Sequence, residues 1–282
     1  MLYNRLYEFL GVSVLLHHIL VLAAVQGITE FLPISSSGHL ILAGQVMDWP
    51  DQGLTVDVAV HIGSLFAVCL YFWRDMWQMA VGVGRIATGR GGPQARLIGN
   101  IIVATIPIVG AGYFLKDQVE TLFRTMEVIG WTTLGFGILL WLADRVGMTI
   151  RRVEHIAWPT ALVIGIAQVL ALVPGTSRSG ITMTAARFLG MEREDAARFS
   201  MLISIPTILA AGLLKGYDVY LAGDLALTVD LGIAAGLSFV TALISIALMM
   251  AWLRRAGFGP FVLYRIALGS ALLYWVYWGA AG

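Results

Sequence analysis

The chain has 282 residues, of which 59% are hydrophobic and 12% are charged, and its formal net charge is +1 at pH 7. A soluble domain carries roughly 25% charged residues, so this composition excludes an ordinary soluble protein and indicates an integral membrane protein. The near-zero net charge gives no support for a nucleic-acid partner. The single cysteine, Cys69, lies in an apolar run and excludes an intramolecular disulfide and a cysteine-based metal site.

The first predicted element is an apolar region, 14–47, which is interrupted by the polar segment QGITEFLPISSSGH at 26–39. The apolar start is similar to a signal peptide, but His17 and His18 interrupt it, so we expect this stretch to be retained. Each apolar arm has roughly 10–15 residues, too few to cross a bilayer. The pattern predicts a helical hairpin that enters the membrane and leaves on the same side, with its turn buried in protein or beside water.

A second interrupted region, 158–190, contains the polar segment PGTSRSGIT at 174–182. Hydropathy predicts three spanning helices after each interrupted region, near 56–73, 98–115 and 127–143, and then near 199–215, 229–252 and 261–279. The predicted fold class is therefore all-α: six transmembrane helices and two re-entrant helical hairpins in one membrane domain, 1–282.

The two halves, about 14–143 and 158–279, share the same order of elements and are predicted to be a repeat, with the segment 33–38 aligned to 174–179. Each hairpin precedes three spans, an odd number, so the second copy points the opposite way. The two hairpins then enter from opposite faces, and their turns meet near the midplane, where transporters of this kind place a site.

The distribution of positive charge predicts the orientation. With the N-terminus outside and both hairpins re-entrant, twelve of the 18 Lys and Arg residues fall on the inside and four on the outside, whereas Arg178 and Arg265 lie within membrane segments. This excess of basic residues on one side is the positive-inside pattern. It predicts both termini outside, and a site that opens to the outer face, because the first hairpin enters from there.

The first polar segment contains Glu30, the only carboxylate well inside an apolar stretch. A buried ionisable group in a membrane is costly and is a functional candidate. Gln26 lies four residues earlier on the same helical face. Together their oxygens could hold Mg²⁺ or Ca²⁺, with water and substrate oxygens completing the coordination. The structural alternative is a neutral Glu30 that is hydrogen-bonded to a neighbouring helix.

Three serines, Ser35, Ser36 and Ser37, follow a proline and precede His39. Hydroxyls and free N–H groups at a helix start are typical of an anion site. His39 follows Ser36 by three residues, which suits a general acid or base, or His39 could itself be the nucleophile. The alternative is a helix break that serine merely caps.

The second polar segment places Arg178 between Ser177 and Ser179, with Thr182 one turn later. A guanidinium among hydroxyls and glycines is suited to bidentate recognition of phosphate. The alternative is an ion pair between Arg178 and Glu30 that only locks the hairpins together.

At these segments the sequence resembles the bacterial undecaprenyl-diphosphate phosphatase family, also called bacitracin-resistance proteins. The resemblance covers nearly the whole chain and is carried by the segments 26–33, 35–39, 174–180 and 199–206. It implies an inner-membrane hydrolase that uses a divalent cation to remove the terminal phosphate of undecaprenyl diphosphate and so regenerates the lipid carrier of peptidoglycan synthesis. The family pattern commonly has Glu at the position of Gln26, which puts metal binding there in doubt, and it often has Thr at the position of Ser37.

The prediction is therefore phosphoanhydride hydrolysis where the two hairpins meet. The predicted partners are a polyprenyl diphosphate and membrane lipid, and assembly into a homodimer is left open. The residues predicted to be catalytic are Glu30, Ser36, His39 and Arg178; those predicted to bind substrate are Ser35, Ser37, Ser177, Arg178, Ser179 and Thr182; and those predicted to bind the cation are Glu30 and Gln26. The nucleophile stays open between Ser36, His39 and water. The alternative function is a polyprenyl-phosphate flippase or transporter that uses the same anion site.

Overall fold

The computed structural model describes residues 14–47, 49, 53–147, 149–222 and 229–279. Within these ranges the chain forms eleven α-helices and two short 3-10 segments and contains no strand, which confirms the all-α prediction. The helices are α1 (Val14–Thr29), α2 (Ser36–Met47), α3 (Gly53–Tyr71), α4 (Trp73–Ala87), α5 (Pro93–Leu122), α6 (Met126–Val146), α7 (Trp158–Val169), α8 (Arg178–Phe188), α9 (Arg193–Ala222), α10 (Val229–Leu253) and α11 (Gly259–Trp278), and the 3-10 segments are Val153–His155 and Leu170–Leu172.

Among the described residues, five helices are long and apolar enough to cross a membrane: α5, α6, α9, α10 and α11. They coincide with five of the predicted spans, those near 98–115, 127–143, 199–215, 229–252 and 261–279. Their outer faces expose large apolar side chains, such as Ile106 on α5 and Leu248 on α10. Exposed apolar faces of this kind are what a lipid environment selects.

The remaining predicted span, 56–73, corresponds to α3, which ends at a bend of 86° before α4. Together, as a bent pair, these two helices are long and apolar enough for one span. The sequence predicted a loop where α4 lies. The amphipathic pattern of α4 explains the difference, because Asp75 and Met79 are buried whereas Trp73 and Trp77 are exposed, as in a helix that lies along a membrane surface.

Both interrupted regions form a helix, a turn and a second helix. In the first, α1 ends at Thr29 and α2 begins at Ser36; in the second, α7 and a 3-10 segment lead to a turn, and α8 begins at Arg178. Each of the two predicted hairpin regions is thus a helix–turn–helix, and its re-entry into the membrane stays a prediction. The first helix of each pair packs on a long helix, since α1 contacts α10 and α7 contacts α5.

The centre of the packing is α9, which contacts α3, α5 and α8. Its side chains Phe199, Leu202 and Ile203 are fully buried. Elsewhere small residues let helices cross closely: a Cβ on Gly63 of α3 would collide with the backbone of Ala235 on α10. Close backbone approach through small residues is the usual way in which membrane helices gain packing energy.

Ion pairs tie the helix ends together on the arginine-rich side of the bundle. Asp144, near the end of α6, accepts a hydrogen bond from Arg193 at 2.6 Å and lies 3.5 Å from Arg187. Arg187 is fully buried and also donates to the carbonyls of Met191 and Gly147. Met191 follows the end of α8 and Gly147 follows the end of α6, so Arg187 stabilises the C-terminal ends of both helices.

Candidate functional site

The two turns have the same local construction. Ser35 and Ser177 both have positive φ, of 77° and 71°, and each precedes the first residue of a helix. The hydroxyl of Ser35 accepts a hydrogen bond from the N–H of Gly38, and that of Ser177 accepts one from the N–H of Gly180. Serine therefore caps α2 and α8 in the same way, and Ser36, the first residue of α2, corresponds to Arg178, the first residue of α8.

This correspondence corrects the predicted alignment by one residue. The sequence alignment of 33–38 with 174–179 paired Ser35 with Thr176, whereas in the structure Ser35 corresponds to Ser177. The second turn has one more residue between its proline and its capping serine. Gly175, with φ of 87°, lies in that longer turn, in a conformation that favours glycine.

Glu30 and Arg178 form an ion pair that joins the two hairpins. The distance from Arg178 Nη2 to Glu30 Oε1 is 2.8 Å, and the two side chains are 14% and 7% exposed. The predicted meeting of the two turns is thus present in the structure. A largely buried pair of this kind is costly to separate, because either charge alone would lack compensation.

The second oxygen of Glu30 collects two further donors. Ser36 Oγ donates to Glu30 Oε2 at 2.6 Å, and Gln26 Nε2 donates to the same oxygen at 2.9 Å. The carboxylate therefore lies in direct contact with an arginine, a serine hydroxyl and an amide. A serine hydroxyl that donates to a carboxylate is placed to lose its proton to it.

On the side chains that contact Glu30, two buried polar atoms have no partner among the described residues: Arg178 Nη1 and Gln26 Oε1. One is a charged donor and the other is a neutral acceptor. An unmade buried hydrogen bond costs about 1–3 kcal/mol, so both atoms point to a ligand that supplies the missing partners. If Arg178 served only to lock the hairpins to Glu30, its second nitrogen would not be left unpaired.

The positive ends of two helices converge on the same place. Ser36 begins α2 and Arg178 begins α8, and these two residues meet on Glu30. The first N–H groups of a helix lack intrahelical acceptors and carry a partial positive charge. Two helix starts and a guanidinium together form a site suited to a phosphate or diphosphate.

His39 is held away from Ser36. Its Nδ1 lies 2.6 Å from the carbonyl oxygen of Ser35, and its Nε2 lies 2.6 Å from the hydroxyl of Tyr264. A carbonyl only accepts, so Nδ1 carries the hydrogen, and in the neutral ring Nε2 accepts from Tyr264. The expected contact of His39 with Ser36 is replaced by the contact of Ser36 with Glu30.

Tyr264→Phe tests whether this hydrogen bond orients His39. The ring contact between the two side chains survives the substitution, but Nε2 loses its donor. We expect kcat to fall by roughly tenfold, the equivalent of about 1.4 kcal/mol for one hydrogen bond, with a changed pH profile. The measurement is the rate, between pH 5 and 9, of the phosphate release that the family resemblance implies. Tyr274→Phe, an exposed tyrosine further along α11, is the matched control and should leave both unchanged. An unaltered profile for Tyr264→Phe would show that His39 is oriented without it.

The other predicted substrate-binding residues make none of the hydrogen bonds to Glu30 among the described residues. Ser37 is exposed beside Ser35, with 3.4 Å between the two hydroxyl oxygens. Ser179 Oγ lies 3.2 Å from Ser177 Oγ and donates to the carbonyl of Leu32 at 2.8 Å, which links the second hairpin to the first. The last, Thr182, is buried, and its hydroxyl lies 2.7 Å from that of Ser200 on α9.

Two neighbouring residues of α11 were missed as site residues: Tyr264, which contacts His39, and Arg265. Arg265 is fully buried and donates to carbonyls in both turns. Its sequence signal is an arginine inside an apolar span, which in membranes marks a functional or pairing role.

Comparison with known proteins gives one family. A model of the family described as bacitracin resistance protein BacA matches residues 19–271. Three similar proteins are the undecaprenyl-diphosphatase of Roseobacter denitrificans (49% identical over 264 residues, 93% of this chain and 99% of that protein), undecaprenyl-diphosphatase 1 of Rhodospirillum rubrum (50% over 272 residues, 94% and 96%) and the undecaprenyl-diphosphatase of Ruegeria pomeroyi (51% over 260 residues, 92% and 97%).

Proposed function

This chain belongs to the bacitracin resistance protein BacA family, and on that premise we propose that it is a membrane hydrolase that removes the terminal phosphate of undecaprenyl diphosphate. The products are undecaprenyl phosphate, the lipid carrier of peptidoglycan synthesis, and inorganic phosphate. The observation that carries the proposal is the contact of one carboxylate, Glu30, with both Arg178 and Ser36. The names of the similar proteins favour this hydrolase over a flippase or transporter.

The diphosphate would bind through the free nitrogen of Arg178 and the starts of α2 and α8. Arg178 Nη1 is buried and unpartnered, so a phosphate oxygen would complete its hydrogen bonds. The N–H groups at the two helix starts, together with the hydroxyls of Ser37 and Ser177, would supply further donors. Fixed donors of this kind stabilise the charge that develops in phosphoryl transfer.

For the attacking group, the geometry supports Ser36. Its hydroxyl donates to Glu30 Oε2, so the carboxylate can take the proton as Ser36 Oγ bonds to the terminal phosphorus. The bond from that phosphorus to the bridging oxygen breaks, and undecaprenyl phosphate leaves. Water then hydrolyses the phosphoserine and releases phosphate. His39 is bonded to Ser35 and Tyr264, so in this arrangement neither ring nitrogen faces Ser36.

The site offers a divalent cation only a few protein oxygens. Gln26 Oε1 is an unpartnered buried oxygen next to the Glu30 carboxylate, and these two residues would hold the cation. No cluster of three or more His, Cys, Asp or Glu side chains occurs in the described part of the chain. Mg²⁺ commonly binds through one or two protein oxygens plus substrate phosphates, so most of its ligands here would come from the diphosphate and water. When bound, it would neutralise phosphate charge.

The isoprenoid chain of the substrate would occupy an apolar groove beside the first turn. This groove has a volume of about 550 Å³ and is lined almost entirely by apolar side chains, among them Ile28, Leu32, Leu248 and Trp252. Ile28 and Leu32 flank Glu30 in the sequence, so a chain in the groove lies close to the diphosphate site. Burial of each CH₂ group in the groove is worth about 0.8 kcal/mol if the group leaves water, but little if it leaves lipid. The groove would therefore set the position of the isoprenoid chain rather than the affinity for the substrate.

We place the protein in the bacterial inner membrane as an inverted repeat of a re-entrant hairpin and three spans. The helix order and the twelve-to-four distribution of basic residues support this topology, with the site open to the outer face. In this orientation the diphosphate would reach the hairpin turns from the outer leaflet. A homodimer stays a prediction.

Phosphate release from undecaprenyl diphosphate by the purified full-length chain in detergent tests the proposal. We expect stoichiometric phosphate and undecaprenyl phosphate, and at least about a tenfold loss of rate with a chelator, restored by added Mg²⁺ or Ca²⁺. Movement of a prenyl phosphate between vesicle leaflets without phosphate release would favour the transporter instead. A rate unchanged by chelator would remove the cation from the mechanism and leave the hydrolase in place.

A further inference from the structure

Arg265 makes an unusual set of contacts for a charged side chain in a membrane span. Its guanidinium donates to the carbonyls of Pro33 (3.1 Å), Gly175 (3.0 Å) and Thr176 (2.9 Å), and to those of Thr132 (3.3 Å) and Thr133 (3.1 Å) on α6. The side chain is fully buried. None of the ion pairs in the described residues includes it, so backbone carbonyls alone compensate the guanidinium.

Three of these carbonyls lie in the two turns, where the helix breaks leave them without helical partners. Pro33 lies in the first turn, and Gly175 and Thr176 lie in the second. A buried carbonyl without a donor is costly, most of all at membrane depth. A guanidinium carries five N–H donors in a rigid plane, so one side chain can satisfy both turns and fix their separation.

The surrounding helices leave room for this guanidinium. A Cβ on Gly180 would lie 2.8 Å from Arg265 Nη1, and a Cβ on Gly137 would lie 2.8 Å from Arg265 Cβ. Gly180 belongs to α8 and Gly137 to α6, so side chains are excluded on two sides. The position of Arg265 is therefore set by packing as well as by hydrogen bonds.

We propose that Arg265 is the positioning residue of the site: it holds the two turns at the separation at which Glu30 meets Arg178 and Ser36. Pro33 lies three residues from both Glu30 and Ser36, and Thr176 lies two residues before Arg178. A change in the distance between these two carbonyls therefore moves the reacting groups relative to each other. The catalytic consequence rests on the proposed hydrolase, whereas the spacing of the turns does not.

Substitution of Arg265 tests the catalytic consequence. We expect Arg265→Met to lower kcat by about 100-fold, the effect of misplacing reacting groups by about 1 Å, with little change in KM because the groups that bind the diphosphate are all still present. Arg265→Lys should recover only part of the rate, since an ammonium has three donors on one atom. Arg187→Met is the matched control: it also removes a buried arginine that donates to carbonyls, and its kcat per folded molecule should stay within about threefold of the original.

A double-mutant cycle separates positioning from general destabilisation. If Arg265 acts through Arg178, then Arg178→Ala added to Arg265→Met should lower kcat much less than it does in the original protein. Effects on one functional unit are strongly non-additive, whereas those of independent sites add. Fully additive losses would show that Arg265 contributes only to stability.

A gentler pair of variants guards against misfolding of Arg265→Met. Gly137→Ala pushes on the stem of Arg265, whereas Gly135→Ala, on the same helix, adds a Cβ that meets nothing within 4 Å. Both changes raise helix propensity. We expect Gly137→Ala to lower kcat by at least about tenfold and Gly135→Ala to leave it unchanged. Equal activity in the two variants would overturn the proposal.

The spacing itself can be measured without any reaction. Spin labels at Met47 and Phe188, exposed residues at the far ends of α2 and α8, in a background with Cys69→Ala, report the separation of the two hairpins by pulsed electron paramagnetic resonance. We expect one narrow distance for the original chain and for Gly135→Ala, and a broadened or longer distribution for Gly137→Ala and Arg265→Met. An unchanged distribution would refute the positioning role. If the original chain released no phosphate but the two variants still showed these shifts in distance, only the hydrolase would be refuted.

Discussion

Arg178→Lys is expected to lower kcat/KM for phosphate release by about 10³-fold, the size of effect seen when a fixed donor to developing charge is lost. In the structure one guanidinium nitrogen contacts Glu30 and the other is free for a phosphate oxygen. A lysine ammonium is a single point and cannot keep both contacts in this geometry. The loss should appear in kcat as well as in KM, because the same nitrogen would bind the diphosphate before and during transfer. Steady-state assays over a range of substrate concentrations measure both.

The matched control for Arg178→Lys is Arg193→Lys. Arg193 also contacts a carboxylate, that of Asp144 at 2.6 Å, but at the arginine-rich end of the bundle and not at the hairpin turns. Its replacement should lower stability slightly and leave kcat/KM within about threefold. If Arg178→Lys and Arg193→Lys behaved alike, the assignment of Arg178 to the diphosphate would be wrong.

The parts of the site that could be predicted are those marked by a conflict with the membrane. Glu30 and Arg178 are charged residues inside apolar regions, and each lies beside a proline and several hydroxyls. Since lipid excludes such groups unless they are paired, the sequence predicted both the hairpins and their contact. The same physics applied to Arg265, but Pro260 only begins that span and no serine cluster lies near Arg265 to indicate what it would contact.

Other features depend on tertiary contacts that no local pattern contains. The partner of Ser36 is Glu30, six residues away across a turn, and not His39 on its own helix, because Tyr264 from α11 holds the imidazole. The register of the two turns differs from the alignment because the second turn holds an extra residue. In α4, the large apolar side chains Trp73 and Trp77 are exposed, whereas the buried face includes Asp75, which pairs with Arg198 of α9. This arrangement is hard to infer from hydropathy alone.

Ser36→Ala is expected to abolish the phosphorylated intermediate and to lower kcat by at least about 10³-fold, since it removes the attacking oxygen and one of the hydrogen bonds to Glu30. Rapid quenching with substrate labelled in its terminal phosphate should trap an acid-stable phosphoserine in the original chain. Glu30→Gln should form it far more slowly, because an amide cannot take the proton from Ser36.

The matched control is Ser204→Ala, which removes a buried serine hydroxyl that donates only within α9, to the carbonyl of Met201. It should keep both the intermediate and the rate.

The stability of the trapped label then identifies the nucleophile. An acid-labile label that persists in Ser36→Ala would transfer the role to His39, whereas a Ser36→Ala variant of normal rate would require direct attack by water. In the structure Ser36 is bonded to Glu30 and His39 is bonded to Tyr264. Identifying the nucleophile therefore also shows which of these two partners lies next to the group that reacts.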